Sequence, residues 1–338
     1  MQHHTPMKRC MHVLCSIAVL GMSSCHQAKV QKTSATDSLM RVQADLFLES
    51  MPSNRQHHQA VAVRQATSGE NNALNAVRTA RNTPPQLSAN VRTRMLTPTL
   101  RLYEPLTHES RSLPLLIYLH GGGWTFGSLN SCGRFCNAMA ASGKMKVLAV
   151  DYRLAPEHPF PAGLHDCIEA VIYAHRHAMD LGTDPQHISV GGDSSGGNLA
   201  IACALHPQCS GHISSLLLFY PVTKAYNDHS SSWERYGQGY GLDAELMEEF
   251  NRAYVGENDS TEVLISVGLC TDEMLQRLPR TLLIAAGRDI LCDQGREFAN
   301  RSDKVTRIEF TEAVHLFITV PGQDTAFEEA VKASIGFL

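Results

Sequence analysis

Uninterrupted apolar runs recur along the chain: Leu115-Leu116-Ile117-Tyr118-Leu119, Val147-Leu148-Ala149-Val150, Leu216-Leu217-Leu218-Phe219 and Leu282-Leu283-Ile284-Ala285. A run without polar alternation marks a strand buried on both faces, as in a parallel sheet. His187-Ile188-Ser189-Val190-Gly191 adds an apolar-polar run. Val91–Leu96 and Leu100–Tyr103 read as a strand pair, and Val305–Phe310 as a last strand. Helical patterns fall between them, over residues 130–142, 162–180, 195–205, 293–301 and 324–336. Strands alternating with helices predict an α/β fold, a mostly parallel sheet covered by helices on both faces.

Two regions break this rhythm. Residues 224–278 carry one amphipathic pattern near Ala244–Tyr254 between irregular polar segments, and read as part of a lid inserted between two core strands. Ahead of the sheet, Leu39, Val42, Leu46 and Met51 recur at helical spacing after Ser34, Thr36 and Asp37, which are possible caps. Residues 52–90 are rich in Gln, Asn, Arg and Ala, with two possible short helices and a stop at Pro84-Pro85. Residues 26–36 are polar and read as a linker.

The start of the chain has a different character. Lys8-Arg9 forms a positive region, Cys10 to Gly21 is mostly apolar and short for a bilayer span, and Met22-Ser23-Ser24-Cys25 sets small residues before a cysteine. The pattern is similar to a bacterial lipoprotein signal over residues 1–25, with Cys25 as the lipidated first residue of an exported, periplasmic or cell-envelope protein. Ordinary signal cleavage is the alternative.

Composition narrows the class. At 338 residues, 43% hydrophobic and 18% charged, the chain has room for one large α/β domain with an appended lid. A formal charge of −4, with no Lys/Arg-rich run, argues against a nucleic-acid partner. Residues 51–95 hold six arginines against the single Glu70, read as a solvated, weakly basic helix surface. Of the ten cysteines, Cys132 and Cys136 lie four apart without a zinc-type spacing, and Cys167, Cys203 and Cys292 sit among apolar neighbours.

Candidate chemistry begins at Gly192-Asp193-Ser194-Ser195-Gly196, a G-x-S-x-G turn between a strand pattern and a helical one. Glycines flank the serine because the turn is strained and a Cβ there would clash. His120-Gly121-Gly122-Gly123-Trp124 follows the strand at 115–119. Such glycines let backbone N–H groups face a cleft, and Gly122, Gly123 and the amide of Ser195 are candidate donors to an oxyanion. Serine needs a base, and the base an orienting acid. Sites with this turn order them serine, acid, histidine, on loops after late strands. Asp289 and His315 stand there. Asp293 is a rival acid that better caps the following helix. Glu309, within the strand, and Glu312, at its exit, are weaker rivals.

These motifs, with the Asp151-Tyr152-Arg153-Leu154-Ala155-Pro156-Glu157-His158-Pro159-Phe160-Pro161-Ala162 segment, Tyr220-Pro221 and Asp289-Ile290-Leu291-Cys292-Asp293, resemble the hormone-sensitive-lipase family of α/β-hydrolases. The likeness is to its bacterial carboxylesterase branch with a G-D-S-x-G elbow. It implies a Ser194/Asp289/His315 triad, an oxyanion hole in the His-Gly-Gly-Gly loop and cap helices over residues 37–90. The catalytic domain then spans 91–338, and the 151–162 segment supports the site. His120 holds the glycine loop by hydrogen bonds. Three positions depart from the family: His315-Leu316-Phe317 stands for His-Gly-Phe, Ser266-Val267 for Ser-Pro, and the cap is unusually polar.

The expectation is a serine esterase acting on small short-acyl esters, with no metal or organic cofactor. Two readings share the fold. A non-catalytic ligand-binding protein is expected to lack a triad member, and a prolyl-type exopeptidase usually carries a β-propeller.

Overall fold

A computed structural model describes residues 1–2, 34–108 and 112–338. Eight strands form one sheet, in the spatial order β1 (Val91–Thr97), β2 (Leu100–Pro105), β4 (Lys146–Val150), β3 (Leu113–Leu119), β5 (Thr183–Asp193), β6 (Ser215–Phe219), β7 (Arg280–Arg288) and β8 (Val305–Val314). The β1–β2 and β2–β4 pairs are antiparallel and every later pair is parallel. The apolar runs are continuous because alternate residues enter different cores. Leu115, Ile117 and Leu119 face one apolar cluster with Leu148, Leu216 and Leu218. Leu116 and Tyr118 face the other with Val147, Leu217 and Phe219. On edge strand β1, Arg92 and Arg94 reach Glu104 at 3.3 and 3.6 Å, a charged edge that discourages pairing with another chain.

Helices cover both faces. α4 (Gly133–Ala141) and α11 (Asp324–Phe337) bury Phe135, Met139, Phe327 and Ala330 on one side. α5 (Ala162–Arg176), α6 (Ser195–Leu205) and α10 (Cys292–Asn300) bury Leu164, Val171, Ile201 and Phe298 on the other. The seven cysteines among the described residues are buried and free.

α2 (Arg55–Thr67), α3 (Asn72–Arg81) and α8 (Ala244–Val255) pack together as a cap, whereas α1 (Ser34–Ser50) packs on β8 and α11. The 224–278 insertion also carries α7 (Ser231–Tyr236), which packs on α10, and α9 (Asp272–Arg277). α2 packs along α8, and Arg64 donates to Glu249 at 2.8 Å and to Glu245 at 3.3 Å across that seam.

Two expectations need correction here. α1 begins at Ser34, inside the segment read as linker, whose residues 26–33 lie outside the described residues. Its apolar spacing also pointed to the wrong side. Leu39, Val42 and Leu46 are exposed, whereas Met40, Ala44 and Phe47 are buried. The helix is apolar on two faces, and packing selects the one carrying Phe47, with Arg288 fixing the orientation through Asp45 at 2.7 Å. Cys25 lies outside the described residues, and no described helix is long and apolar enough to cross a membrane.

Candidate active site

The turn between β5 and α6 holds Ser194 at φ 54°, ψ −118°. For a residue with a Cβ this left-handed backbone costs about 1–3 kcal/mol, so surrounding contacts must enforce it. The Ser194 amide donates to the Phe219 carbonyl at 2.9 Å, and the Val222 amide donates to the Ser194 carbonyl at 3.1 Å. The helix starts hard against β3: a Cβ on Gly196 would strike the carbonyl oxygens of Leu119 and His120. Glycine there is a packing requirement.

Asp289 and His315 emerge directly after β7 and β8, whose parallel pairing sets their loops side by side. His315 Nδ1 lies 2.6 Å from Asp289 Oδ2 and its Nε2 lies 3.2 Å from Ser194 Oγ. With the proton on Nδ1, the ring donates to the carboxylate and accepts the serine hydroxyl. The second Asp289 oxygen accepts the Leu291 amide at 3.0 Å. All three side chains are buried. The Gln323 side chain brackets the histidine loop, accepting the Val314 amide at 3.0 Å and donating to the His315 carbonyl at 3.1 Å. The Tyr220 ring sits 4.4 Å from the imidazole.

The glycine loop is strapped to the serine turn by Asp193. Its Oδ1 accepts the Gly121 amide and the Tyr118 hydroxyl, both at 3.0 Å. Burial pushes the Asp193 acid up to about 6, against the pull of these two donors. Among the described residues, no acceptor takes the amide of Gly122 or Gly123, and both glycines line a cleft with Ser194 and His315. Gly123 has φ +59° and a Cβ there would land on the Phe250 ring. His120 is buried, which lowers its pKa and keeps the ring neutral. Its Nδ1 bonds the Gly121 carbonyl at 2.9 Å, and Tyr152 OH donates to the His120 carbonyl at 2.6 Å. The loop is therefore held from both sides, as expected of His120 and the 151–162 segment.

A model of the alpha/beta hydrolase fold family matches residues 116–319, more than half of the chain. The chain belongs to that family. The carboxylic ester hydrolase LipN of Mycobacterium tuberculosis is 36% identical over 193 residues, 55% of this chain and 51% of that protein. An arylesterase of Saccharolobus solfataricus is 34% identical over 206 residues, 60% of this chain and 65% of that protein. The chain thus spans between half and two thirds of the length of these relatives. Among solved structures, carboxyl esterase 2 of the fungus Tuber melanosporum superposes with a TM-score of 0.67 at 27% identity, covering 75% of this chain and 85% of that one.

In this hydrolase-fold site the rival acids are engaged elsewhere. Glu309 pairs with Arg307 and Arg296, and Glu312 with Arg41. Glu312 lies within β8 and not at its exit, because that strand continues to Val314. Asp293 does not cap α10, which has Leu291 at that position; it accepts the Ser232 amide at 2.8 Å and so caps α7 of the lid. The cleft is about 370 Å³, its open mouth included, and its outer wall comes from the cap: Gln56, Gln59, Arg81, Leu242, Leu246 and Phe250. Sequence reading missed Asp193, Gln323 and this polar wall. The glycine-turn motif holds a signal for Asp193, whose side chain must lie beside the serine. The cap residues reach the cleft only through tertiary packing.

Proposed function

We propose that this chain is a serine carboxylesterase of the hormone-sensitive-lipase type, with Gly192-Asp193-Ser194-Ser195-Gly196 as its elbow, hydrolysing small short-acyl esters. The observation that carries the reading is the continuous Asp289–His315–Ser194 hydrogen-bond chain beside unoccupied glycine amides. His315 Nε2 takes the hydroxyl proton as Ser194 Oγ attacks the ester carbonyl, and Asp289 stabilises the imidazolium. The negative charge collects on the former carbonyl oxygen, where the amides of Gly122, Gly123 and Ser195 donate to it. Each such donor is worth roughly 3 kcal/mol of barrier. His315 then returns the proton to the departing alcohol, leaving an acyl group on Ser194. Water, deprotonated by the same nitrogen, releases the acid. Every step uses these side chains and amides alone.

The cleft supports small substrates. A buried methylene gains about 0.8 kcal/mol, but only while room lasts. Leu316 closes the cleft beside His315, and Phe250 closes it beside Gly123. Export, with a lipid on Cys25, is part of the same proposal and is supported by the pattern of residues 1–25.

The test is hydrolysis of 4-nitrophenyl esters from acetate to decanoate by the parent and by Ser194→Ala, with fluorophosphonate labelling of each. Activity peaking at acetyl to butyryl, and both activity and labelling lost in the variant, are expected. An unlabelled, inactive parent points to a ligand-binding protein. Preference for a proline anilide points to an exopeptidase, and preference for lauroyl esters to a lipase.

A further inference from the structure

The six arginines of residues 51–95 do not share one fate. Arg64, Arg78, Arg92 and Arg94 each meet a carboxylate: Arg64 meets Glu245 and Glu249, Arg78 meets Glu157, and Arg92 and Arg94 meet Glu104. Arg55 and Arg81 make no ion pair among the described residues, and the carboxylate that acts on Arg81 is the buried Asp193, already engaged by Gly121 and Tyr118. The two arginines lie at facing ends of the α2–α3 pair, Arg55 opening α2 and Arg81 closing α3. Arg81 lines the catalytic cleft with Ser194, Gly122 and Gly123, and its guanidinium rests 5.1 Å above the Phe126 ring. A ring face steadies the charge without neutralising it.

The neighbouring side chains are also unfinished. Gln59 lines the same cleft, is only 7% exposed and has no side-chain hydrogen bond among the described residues. Gln56 donates to the Gly241 carbonyl at 2.6 Å, while its Oε1 is buried with no partner. A half-buried cation without an ion-pair partner, set beside amide groups with open hydrogen-bonding positions, is completed by a ligand that carries negative charge. Burial and the nearby Arg55 draw the Arg81 guanidinium down to about 10, which still leaves it cationic at neutral pH.

We propose that the ester accepted by this cleft carries a carboxylate a few carbons from its scissile carbonyl, bound by Arg81 with Gln59 beside it and Arg55 adding to the positive field. This rests on ester hydrolysis at Ser194 and deepens it. A planar guanidinium fork matches a carboxylate in two parallel hydrogen bonds, which a surface lysine would not do. The small cleft sets the short reach. The basic balance of residues 51–95 is thereby resolved into four arginines held in structural ion pairs, Arg81 in the cleft, and Arg55 behind it.

The test compares kcat/KM for matched pairs with the full-length protein, following acid release at constant pH. Ethyl hydrogen butanedioate against ethyl pentanoate places the charge on the acyl side. Butanoyloxyacetate against propyl butanoate places it on the alcohol side. In one pair the anionic ester is expected to be preferred at least tenfold, with the ratio shrinking as salt rises. Arg81→Met should lower that ratio tenfold or more, and Arg81→Lys should retain part of it. A ratio is independent of the amount of folded enzyme, so poor yield of a variant does not disguise the result. Ratios near one in both pairs, or a preference untouched by Arg81→Met, overturn the inference while ester hydrolysis stands. Failure to turn over any of the four esters, with Ser194 unlabelled by fluorophosphonate, removes both.

Discussion

Asp289 and Asp293 leave the same strand end, yet only Asp289 faces His315. Asp289→Asn keeps the shape of the site but offers an amide where the imidazole N–H needs an acceptor, so the wrong tautomer is favoured. A loss on the order of 10⁴ in kcat is expected. Asp293→Asn weakens the Ser232 amide bond and the Arg296 contact and should cost about 1 kcal/mol of stability, read from urea unfolding. Steady-state kinetics of both folded variants decide the matter, and the larger kcat loss falling on Asp293→Asn refutes the assignment. Leu316 poses a subtler question. It holds φ +74°, a left-handed backbone that costs a leucine roughly 1–2 kcal/mol and glycine nothing. Its half-buried side chain packs against Ala44 and Phe47, which returns about 1–2 kcal/mol. Leu316→Gly should therefore leave stability nearly unchanged while opening the cleft, moving the acyl optimum to longer chains across a 4-nitrophenyl ester series. An unmoved optimum means that Leu316 does not limit the site.

At the scale of elements, the serine turn after β5 and the glycine loop after β3 are joined by one buried carboxyl. The unfolded chain releases the Asp193 proton near pH 3.8, whereas the folded chain holds it up to about 6. The folded state thus binds the extra proton between those values, and stability falls as pH rises through 6. The shift corresponds to about 3 kcal/mol, fully lost by pH 8. Asp193→Asn lacks this titration, so the unfolding free energy of the parent minus that of the variant should drop by about 2 kcal/mol between pH 4 and pH 8, the rest being lost below pH 4. A difference that stays flat or grows contradicts a buried, proton-holding Asp193. The same elements show what a sequence reveals. β3, β4, β6 and β7 were legible because burial on both faces leaves no polar alternation to confuse. The meeting of Ser194, Asp289 and His315 was legible because a parallel sheet delivers the loops after its strands at one edge. The side of α1 that packs was not, since its helical spacing supports two apolar faces and the choice belongs to Phe47 and its neighbours. Nor was the cleft wall: Gln59 and Arg81 are ordinary surface residues of their helices until α2 packs on α8. β8 was read short because the polar pair Thr311-Glu312 interrupts its pattern before Ala313 and Val314 return to the core.

At the scale of the whole molecule, α1 begins nine residues after the cysteine that ends the signal-like segment, packs on β8 and α11, and shows Leu39, Val42 and Leu46 outward. If Cys25 is lipidated, α1 is the part of the folded body tethered closest to the membrane. A single acyl chain gives only marginal, reversible binding, so a stable tether requires more than one chain on the processed cysteine. In a host with lipoprotein processing, the parent is expected in the membrane fraction and to incorporate labelled fatty acid. Cys25→Ala should carry no label and should move esterase activity to the soluble or unprocessed fraction. Leu39→Ser with Val42→Ser and Leu46→Ser separates the two contributions: it should leave the label in place and the protein in the pellet, because the lipid and not the helix face holds it. An unlabelled parent whose mature N-terminus lies elsewhere than Cys25 leaves plain secretion as the reading, and release of a still-labelled triple variant would assign the anchoring to α1 instead.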